Sequence, residues 1–410
     1  MDPTELPSPA RSAAPARPAC PPGPSPARPA VTELRLSAFK SHRGARFPLG
    51  PVTLIAGPSG SGKSGVLDAY EALARLGSGA ALAEAFPDPA GCVPERAGPD
   101  SQGRRGFRIG CTADGPAGPV RLDLAVQAEP ALRVVGERLT DGQGRTLLAT
   151  ALRDPGRRRV QAEWHTAGAA PVTRAPLPDD RLATALLPLR VAGKTAGQLR
   201  VLAAAEQVVV ALRSVFSCDP QPSRMRLPVP PGEGRLRRGC DNLAEVLYRT
   251  RTDCPRRHAR LASVARAGIT GPVGALDVER LSDGTVRAVL GRTGGAGATP
   301  AERLGEGELR YLALALVLLT GPGVFAMDRA AEVPDAMQTL TVLADGFDRS
   351  LDRRQADGLV SLAAQICAEG HMRLLGTVLG TAGAAATAAW AGPPGPGGGT
   401  DGVTVVDLTP

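Results

Sequence analysis

The sequence predicts an α/β protein: a parallel αβ core that carries an inserted antiparallel β-subdomain and a helical subdomain. Three observations lead to this fold class. An apolar run at 52–56 passes through a glycine-rich loop into a helical pattern at 64–76. Strands alternate with helices at both ends of the chain, which is typical of a parallel sheet. Antiparallel-looking strands follow the first helix, which indicates an insertion into that core.

Each element is assigned from the spacing of its apolar residues. Alternating or short continuous apolar runs predict strands at 31–38, 52–56, 105–112, 120–126, 131–139, 273–280, 285–290, 324–328, 373–379 and 403–408. Apolar residues at helical spacing predict helices at 64–76, 180–189, 197–216, 242–249, 257–267, 307–319, 334–351 and 355–369. The dipeptides Asp141-Gly142 and Asp283-Gly284 predict the turns of two β-hairpins.

The glycine-rich loop fills every position of the phosphate-binding pattern G-x-x-x-x-G-K-[ST]. Glycines allow consecutive backbone N–H groups to point at phosphate oxygens, and the start of the following helix adds partial positive charge. The pattern predicts a bound nucleotide, with the lysine on the β- and γ-phosphates and the serine hydroxyl on Mg²⁺. The predicted binding residues are Gly57, Pro58, Ser59, Gly60, Ser61, Gly62, Lys63 and Ser64.

The basic residues of the chain are almost all arginine. Lys40, Lys63 and Lys194 are the three lysines among 48 basic residues. A lysine kept in the loop is therefore informative, because the loop needs a compact point charge rather than a planar fork. The same bias toward Ala, Gly, Pro and Arg weakens any inference from the net charge of +8 to nucleic-acid binding.

Composition also sets the domain boundaries. Residues 1–30 are rich in Pro, Ala and Arg and lack the apolar core of a secretory signal, so we expect a disordered leader. The predicted domains are this leader, a globular head at 31–391 with a β insertion at about 104–150 and a helical region at about 178–267, a Pro/Gly linker at 392–400, and a terminal strand at 401–410.

Several classes of protein are disfavoured by the sequence. The longest apolar run, at 311–319, is shorter than the roughly 20 residues that a membrane span needs. Seven cysteines without a C-x-x-C pair argue against a disulfide framework or a zinc ribbon. We therefore expect a cytoplasmic protein that does not contact a membrane.

A second part of the nucleotide site is predicted at 324–328, an apolar run that ends in Asp328. An acidic residue at the carboxyl end of a buried parallel strand lies where the ligand binds, and it would hold Mg²⁺ together with Ser64. Just upstream, a turn leads into an apolar helix, and this turn consists of Leu304, Gly305, Glu306, Gly307 and Glu308.

Together these segments resemble the ABC-type ATPase heads of the RecF/SMC family, and more closely the compact AAA-family ATP-binding proteins without a coiled-coil arm. The resemblance covers about 31–380, and it is carried by 34–41, the phosphate loop, 241–247, 304–308 and Asp328. It implies a P-loop NTPase with ABC-type head architecture that binds ATP and Mg²⁺. It also implies a homodimer in which each head presents Leu304, Gly305, Glu306 and Gly307 to the γ-phosphate on its partner.

Three positions depart from that family's pattern. The signature serine is Gly305, the glutamate expected after the acidic strand is Arg329, and the histidine expected after the last core strand is absent from 373–381. Loss of a positioned general base lowers a rate by about 10²–10⁴-fold. We therefore expect slow or degenerate hydrolysis, with Glu332 as a substitute base.

Three functions are compatible with these residues. The leading hypothesis is an ATP-binding protein that dimerises on ATP and hydrolyses it slowly, in DNA repair or in defence against foreign DNA. The alternative is a nucleotide-gated regulatory module that binds ATP without turnover. A small-molecule kinase is disfavoured by the turn at 304–308.

Two weaker signals bear on partners and on water activation. Arginine clusters at 157–159, 235–238 and 256–257 could contact DNA, although a solvated surface in an arginine-rich chain is the favoured interpretation. Gln127 is the one candidate for the family's water-sensing glutamine.

Overall fold

The computed structural model describes residues 28–154, 156–166, 172–294, 297–327, 333–334, 337–379 and 402–409. Within these residues the strands are β1 Ala30–Phe39, β2 His42–Pro48, β3 Val52–Ala56, β4 Arg105–Asp114, β5 Val120–Glu129, β6 Arg133–Thr140, β7 Thr146–Ala151, β8 Arg159–His165, β9 Val172–Pro178, β10 Val215–Cys218, β11 Val273–Arg280, β12 Val286–Arg292, β13 Ala298–Pro300, β14 Leu340–Ala344, β15 Met372–Thr377 and β16 Val403–Asp407. The helices are α1 Lys63–Gly77, α2 Leu82–Ala85, α3 Ala183–Leu186, α4 Ala196–Arg213, α5 Pro222–Met225, α6 Leu243–Asp253, α7 Pro255–Gly268, α8 Glu306–Leu318 and α9 Arg353–Ala368.

A five-stranded parallel sheet, in the order β10-β14-β15-β3-β16, lies at the centre of the fold. Its inner strands are continuous apolar runs, because both faces of the sheet are covered. Ile55, Leu343 and Leu375 face one hydrophobic core. Leu54 and Val342, their neighbours along the strands, face a second core. The sheet therefore separates two layers of packed structure.

The first core lies under an eight-stranded antiparallel sheet with the order β2-β1-β4-β5-β6-β7-β8-β9. Helices α1 and α4 pack against this sheet and against each other. The second core lies on the other side of the parallel sheet, where α6, α7, α8 and α9 pack with the small antiparallel sheet β11-β12-β13. No helix in the described part of the chain is long and apolar enough to cross a membrane.

Most predicted elements are confirmed. The strand at 52–56 has the predicted bounds, and both predicted hairpins form, β6–β7 and β11–β12. The predicted helix at 197–216 is too long: α4 ends at Arg213, and the short strand β10 follows it. Strands β2, β7, β8 and β9 were not predicted from the sequence.

The predicted helix at 334–351 is wrong, because this segment contains the strand β14. All five residues of β14 are buried, so the strand carries no alternation of polar and apolar residues. A short run of this kind cannot be distinguished from part of a buried helix by periodicity.

The predicted strand at 324–328 is also corrected. Pro322–Val324 is a 3₁₀ turn, and the segment makes an isolated β-bridge between Phe325 and Leu236. Phe325 is buried and stacks on Phe216, with 4.3 Å between the ring centroids. Packing of this ring explains the apolar character of the run without a strand. Asp328 itself lies outside the described residues.

A buried arginine joins the strands on which the first core is built. Arg35 on β1 is 3% exposed, and its guanidinium donates to side chains and carbonyls of three strands. Its partners are Glu33 Oε1 at 2.6 Å, Thr112 Oγ1 at 2.6 Å, the Cys111 carbonyl at 2.8 Å, the Leu122 carbonyl at 3.0 Å and Asp123 Oδ1 at 3.2 Å.

Replacement of Arg35 by lysine tests this network. An ammonium group cannot reproduce the planar fork, so buried acceptors lose their donors. We expect Arg35→Lys to lower the free energy of unfolding by about 2–4 kcal/mol, measured by urea denaturation. Arg121→Lys is the matched control, because Arg121 also pairs with Asp123 but is 46% exposed. Equal effects of the two substitutions would contradict the assignment.

Candidate functional site

The glycine-rich loop lies at the carboxyl edge of the parallel sheet. It leaves β3 at Gly57 and enters α1 at Lys63. The ends of β14, β15 and β16 lie beside it, since β15 and β16 both pair with β3 in parallel. Ligands of open parallel sheets bind at this edge.

Three glycines of the loop, Gly57, Gly60 and Gly62, have positive φ angles, and at two of them a side chain would also clash with its neighbours. Gly57 and Gly62 have φ angles of 148° and 92°, which L side chains rarely adopt. A Cβ on Gly57 would lie 2.8 Å from Ser61 Oγ, and one on Gly62 would lie 2.6 Å from His42 Nε2. The loop therefore keeps its backbone accessible while its other side is tightly packed.

His42 supports the loop from behind, and the sequence analysis did not identify it. Its Nε2 lies 3.0 Å from the Gly62 carbonyl oxygen, and its ring packs edge-on against Phe47, with 5.4 Å between centroids. The residue is 7% exposed. A histidine in a short strand carries no local signal for such a contact, which depends on the pairing of β1 with β2.

Two polar groups of the loop are arranged for an anion. The Lys63 ammonium donates to the carbonyl oxygens of Gly57 at 2.6 Å and Pro58 at 2.8 Å. These neutral acceptors leave its charge uncompensated. The Ser61 hydroxyl oxygen is buried and has no hydrogen-bond partner among the described residues. Buried hydroxyls are normally paired, so this group fits a site that a phosphate oxygen completes.

The acidic side chain opposite the loop is Asp345, directly after β14. The Ser64 hydroxyl donates to its carboxylate, at 3.1 Å from Oδ2 and 3.3 Å from Oδ1. The Thr377 hydroxyl, at the end of β15, donates to Asp345 Oδ1 at 2.5 Å. A serine hydroxyl and a carboxylate are hard oxygen ligands of the type that Mg²⁺ prefers.

Asp345 occupies the position that the sequence analysis gave to Asp328. Asp328, Arg329 and Glu332 all lie outside the described residues, so their placement stays a prediction. The signal for Asp345 was present, an apolar run at 340–344 that ends in an aspartate. The prediction of a helix at 334–351 concealed it.

The residue after Asp345 is Gly346, which offers no carboxylate for water activation. Its backbone is held on both sides, because its N–H donates to Thr377 Oγ1 at 2.7 Å and its carbonyl accepts from Arg310 Nη2 at 2.9 Å. Asp348 on the same turn accepts from the Leu379 N–H at 3.0 Å. Burial raises the pKa of Asp348, and the positive charge of Lys63 opposes this rise.

The turn at 304–308 caps the helix α8. Gly305 is its N-cap residue, and the Glu308 carboxylate accepts from the Gly305 N–H at 2.8 Å. Arg226 donates to the Leu304 carbonyl at 2.9 Å. Ser350, from the turn after Asp345, donates to Glu306 Oε2 at 3.4 Å. The turn is therefore connected to the segment that follows β14.

The candidate Gln127 and His371, the histidine directly before β15, both have structural contacts. Gln127 is 7% exposed, and its amide nitrogen donates to the Ala131 carbonyl at 3.0 Å within the β5–β6 hairpin. His371 lies between α9 and β15, where its Nδ1 is 3.6 Å from Glu369 Oε2. Among the residues that the structure describes, no cluster of three His, Cys, Asp or Glu side chains could hold a metal ion.

Comparison with known proteins shows that the chain is similar to several solved structures. The chain matches no protein-family model and no curated protein. An Smc head bound to the C-winged helix domain of ScpA is 15% identical, with a TM-score of 0.40, over 85% of this chain and 90% of that chain. The SMC head domain from Thermotoga maritima is 14% identical, with a TM-score of 0.38, over 85% and 89%.

A third similar structure is an Smc head domain with an extended coiled coil, bound to the C-terminal domain of ScpA, derived from Pyrococcus furiosus. It is 12% identical, with a TM-score of 0.39, over 86% of this chain and 90% of that chain. The predicted resemblance to SMC-type heads is confirmed as a similarity to these structures.

Tyr70 ties the loop-bearing helix to the strand that carries Asp345. Its hydroxyl, on α1, donates to Thr341 Oγ1 of β14 at 3.2 Å. Tyr70 is 1% exposed, and burial raises the pKa of its hydroxyl to about 12. The neutral form is thus favoured in the folded state.

The substitution Tyr70→Phe tests this hydrogen bond through the pH dependence of the free energy of unfolding. The folded pKa of Tyr70 exceeds its ordinary value of 10.0, so its contribution is complete below pH 10 and is lost between pH 10 and 12. We expect the variant to be about 1 kcal/mol less stable at pH 7. Above pH 10 the wild type should lose about 1 kcal/mol per pH unit relative to the variant. Urea denaturation from pH 7 to 11.5 measures both, with the 40% exposed Tyr248 replaced by Phe as control.

Proposed function

We propose that this protein binds ATP with Mg²⁺ at the loop 57–64, associates with a second copy on the bound nucleotide, and hydrolyses ATP slowly. The observation that carries the proposal is the contact between the Ser64 hydroxyl and the Asp345 carboxylate, 3.1 Å apart beside the glycine loop. A phosphate-binding loop alone would fit several anions. The added pair of oxygen ligands fits an anion that binds with a divalent cation.

Each residue of the site has a distinct task in binding. The backbone N–H groups of the loop and the start of α1 would surround the β- and γ-phosphates. Lys63 would exchange its two carbonyl partners for phosphate oxygens. Ser64 and Asp345 would hold Mg²⁺, which neutralises phosphate charge when it is bound. Thr377 orients the carboxylate of Asp345 through the hydrogen bond at 2.5 Å.

Slow hydrolysis follows from the residue after Asp345. Gly346 cannot act as a general base, and the loss of such a base lowers a rate by about 10²–10⁴-fold. Asp348, which is half-buried with a raised pKa, and Glu332 are the carboxylates proposed to substitute for it. If neither carboxylate acts as the base, the protein is a nucleotide-gated module that binds ATP without turnover. The glycine at position 346 favours this second function.

Association on ATP is proposed for the turn at 304–308. The first backbone N–H groups of a helix have no partner within it, and those of α8 could contact the γ-phosphate held by a second copy. Gly305 provides no hydroxyl for that contact, so we expect the association to be weak.

DNA is a candidate partner on the same proposal, through the arginine clusters. Local ion pairs reduce the charge available at two of them, since Arg157 pairs with Asp154 and Arg237 with Asp241. Helix α7 differs: Arg256 and Arg260 are exposed, and its sequence contains no acidic residue. Any contact with duplex DNA would therefore involve α7 and would weaken steeply with salt.

Substitution of the two aspartates tests which one serves the nucleotide. We expect Asp345→Asn to weaken MgATP binding at least tenfold, because the carboxylate ligand of the cation is lost. Its effect should disappear when ATP is measured with EDTA. Asp328→Asn is the matched control and should change affinity less than threefold. Isothermal titration calorimetry measures both, and a larger effect at Asp328 would restore the original prediction from sequence.

Turnover and association are tested together by steady-state hydrolysis at increasing protein concentration. A dimerising ATPase should show a specific activity that rises with concentration and is absent in Lys63→Ala. Analytical ultracentrifugation with and without ATP gives the association directly. ATP binding with no turnover at any concentration would support the binding module instead. Failure of the wild-type protein to bind ATP would overturn the proposed function.

A further inference from the structure

The guanidinium of Arg349 occupies the space where a side chain at position 346 would stand. A Cβ on Gly346 would lie 2.9 Å from both Nε and Nη2 of Arg349. Gly346 has a φ of 60°, and its N–H and carbonyl are both hydrogen-bonded, so its backbone cannot turn away. The position directly after Asp345 is thus covered by the positively charged guanidinium of Arg349.

The charges around Arg349 leave it available for an anion. Its ion pair with Asp219 has a long N–O distance of 4.0 Å, and the side chain is 50% exposed. Asp219 is shared with Arg310, at 3.9 Å. Arg310 is buried and already donates to the carbonyls of Pro220 and Gly346. Two cations therefore share the Asp219 carboxylate, and the pairing of Arg349 with it is long and half-exposed.

Arg349 also repels the guanidinium of its neighbour Arg310. Burial lowers the pKa of Arg310, and the charge of Arg349 lowers it further. An anion placed between the end of β10 and the end of β14 would reduce this repulsion. Guanidinium groups bind phosphate oxygens through two parallel N–H donors, which makes them well suited to a terminal phosphate.

We propose that Arg349 binds the terminal phosphate of a nucleoside triphosphate and makes the site selective for triphosphate over diphosphate. The inference rests on the proposed function, since the glycine loop must place the phosphates beside Asp345. In this arrangement the ion pair with Asp219 holds the Arg349 side chain beside the site before the nucleotide binds. Arg349 acts as a specificity-determining residue and not as a base.

The experiment compares the affinities of Arg349→Ala for MgATP and MgADP by isothermal titration calorimetry. We expect MgATP binding to weaken about 10- to 100-fold, the range of a charge-assisted hydrogen-bonded contact, and MgADP binding to change less than threefold. Arg349→Lys should restore part of the lost ATP affinity. Arg353→Ala is the matched control, because Arg353 is exposed and pairs with Asp357 on α9.

Asp219→Asn separates phosphate binding from a structural role. If Arg349 acts only by pairing with Asp219, both substitutions will lower the two affinities alike, and this result would overturn the inference. If Arg349 binds phosphate, Asp219→Asn will leave the preference for ATP within threefold of wild type. Equal loss of ATP and ADP binding in Arg349→Ala would also overturn it. Wild-type protein that binds neither nucleotide would instead overturn the proposed function.

Discussion

The Asp345 carboxylate joins three segments of the carboxyl edge of the parallel sheet through side-chain hydrogen bonds. It accepts from Ser64, which follows the loop after β3, and from Thr377 at the end of β15. Because β15 lies between β14 and β3, the threonine hydroxyl bridges the gap between the acidic strand and the loop-bearing strand. The position of the loop relative to the acid thus depends on a middle strand that contributes a hydroxyl and no charged group to this contact.

A second constraint acts on the residue after this carboxylate. The backbone of Gly346 is held by Thr377 and Arg310, and its positive φ disfavours any other residue by about 1–2 kcal/mol. A glutamate introduced there would also meet the guanidinium of Arg349. A residue other than glycine at this position is therefore disfavoured by the backbone conformation, whereas Arg349 is a flexible, half-exposed side chain that can move aside.

How much could be predicted from the sequence depends on the range of the contacts involved. The loop and β3 were predicted correctly, because their signal is local: fixed glycine spacing after an apolar strand and before a helix. The helices α6 to α9 were also predicted, since each has a long apolar face. These elements need no knowledge of distant segments.

The wrong assignments arise where the correct one depends on contacts between distant segments. The segments 324–328 and 340–345 are both apolar runs that end in an aspartate. The local pattern alone cannot show which of the two is a strand of the parallel sheet. Only the pairing of β14 between β10 and β15 shows which run enters the parallel sheet. The support of the loop by His42 and the approach of Arg349 to Gly346 likewise depend on tertiary packing.

Nucleotide binding and hydrolysis therefore rest on different parts of this fold. On the proposed function, binding needs the loop, Ser64 and the Asp345 carboxylate, which lie together at the carboxyl edge of the parallel sheet. Hydrolysis needs a base beyond Asp345, where the chain offers a glycine covered by an arginine. An arginine at this place repels a second cation but attracts a phosphate, so it favours retention of the triphosphate over its attack by water. On the proposed function, such a site would hold its ligand for longer than an efficient ATPase does, which a nucleotide-dependent association between two copies would require.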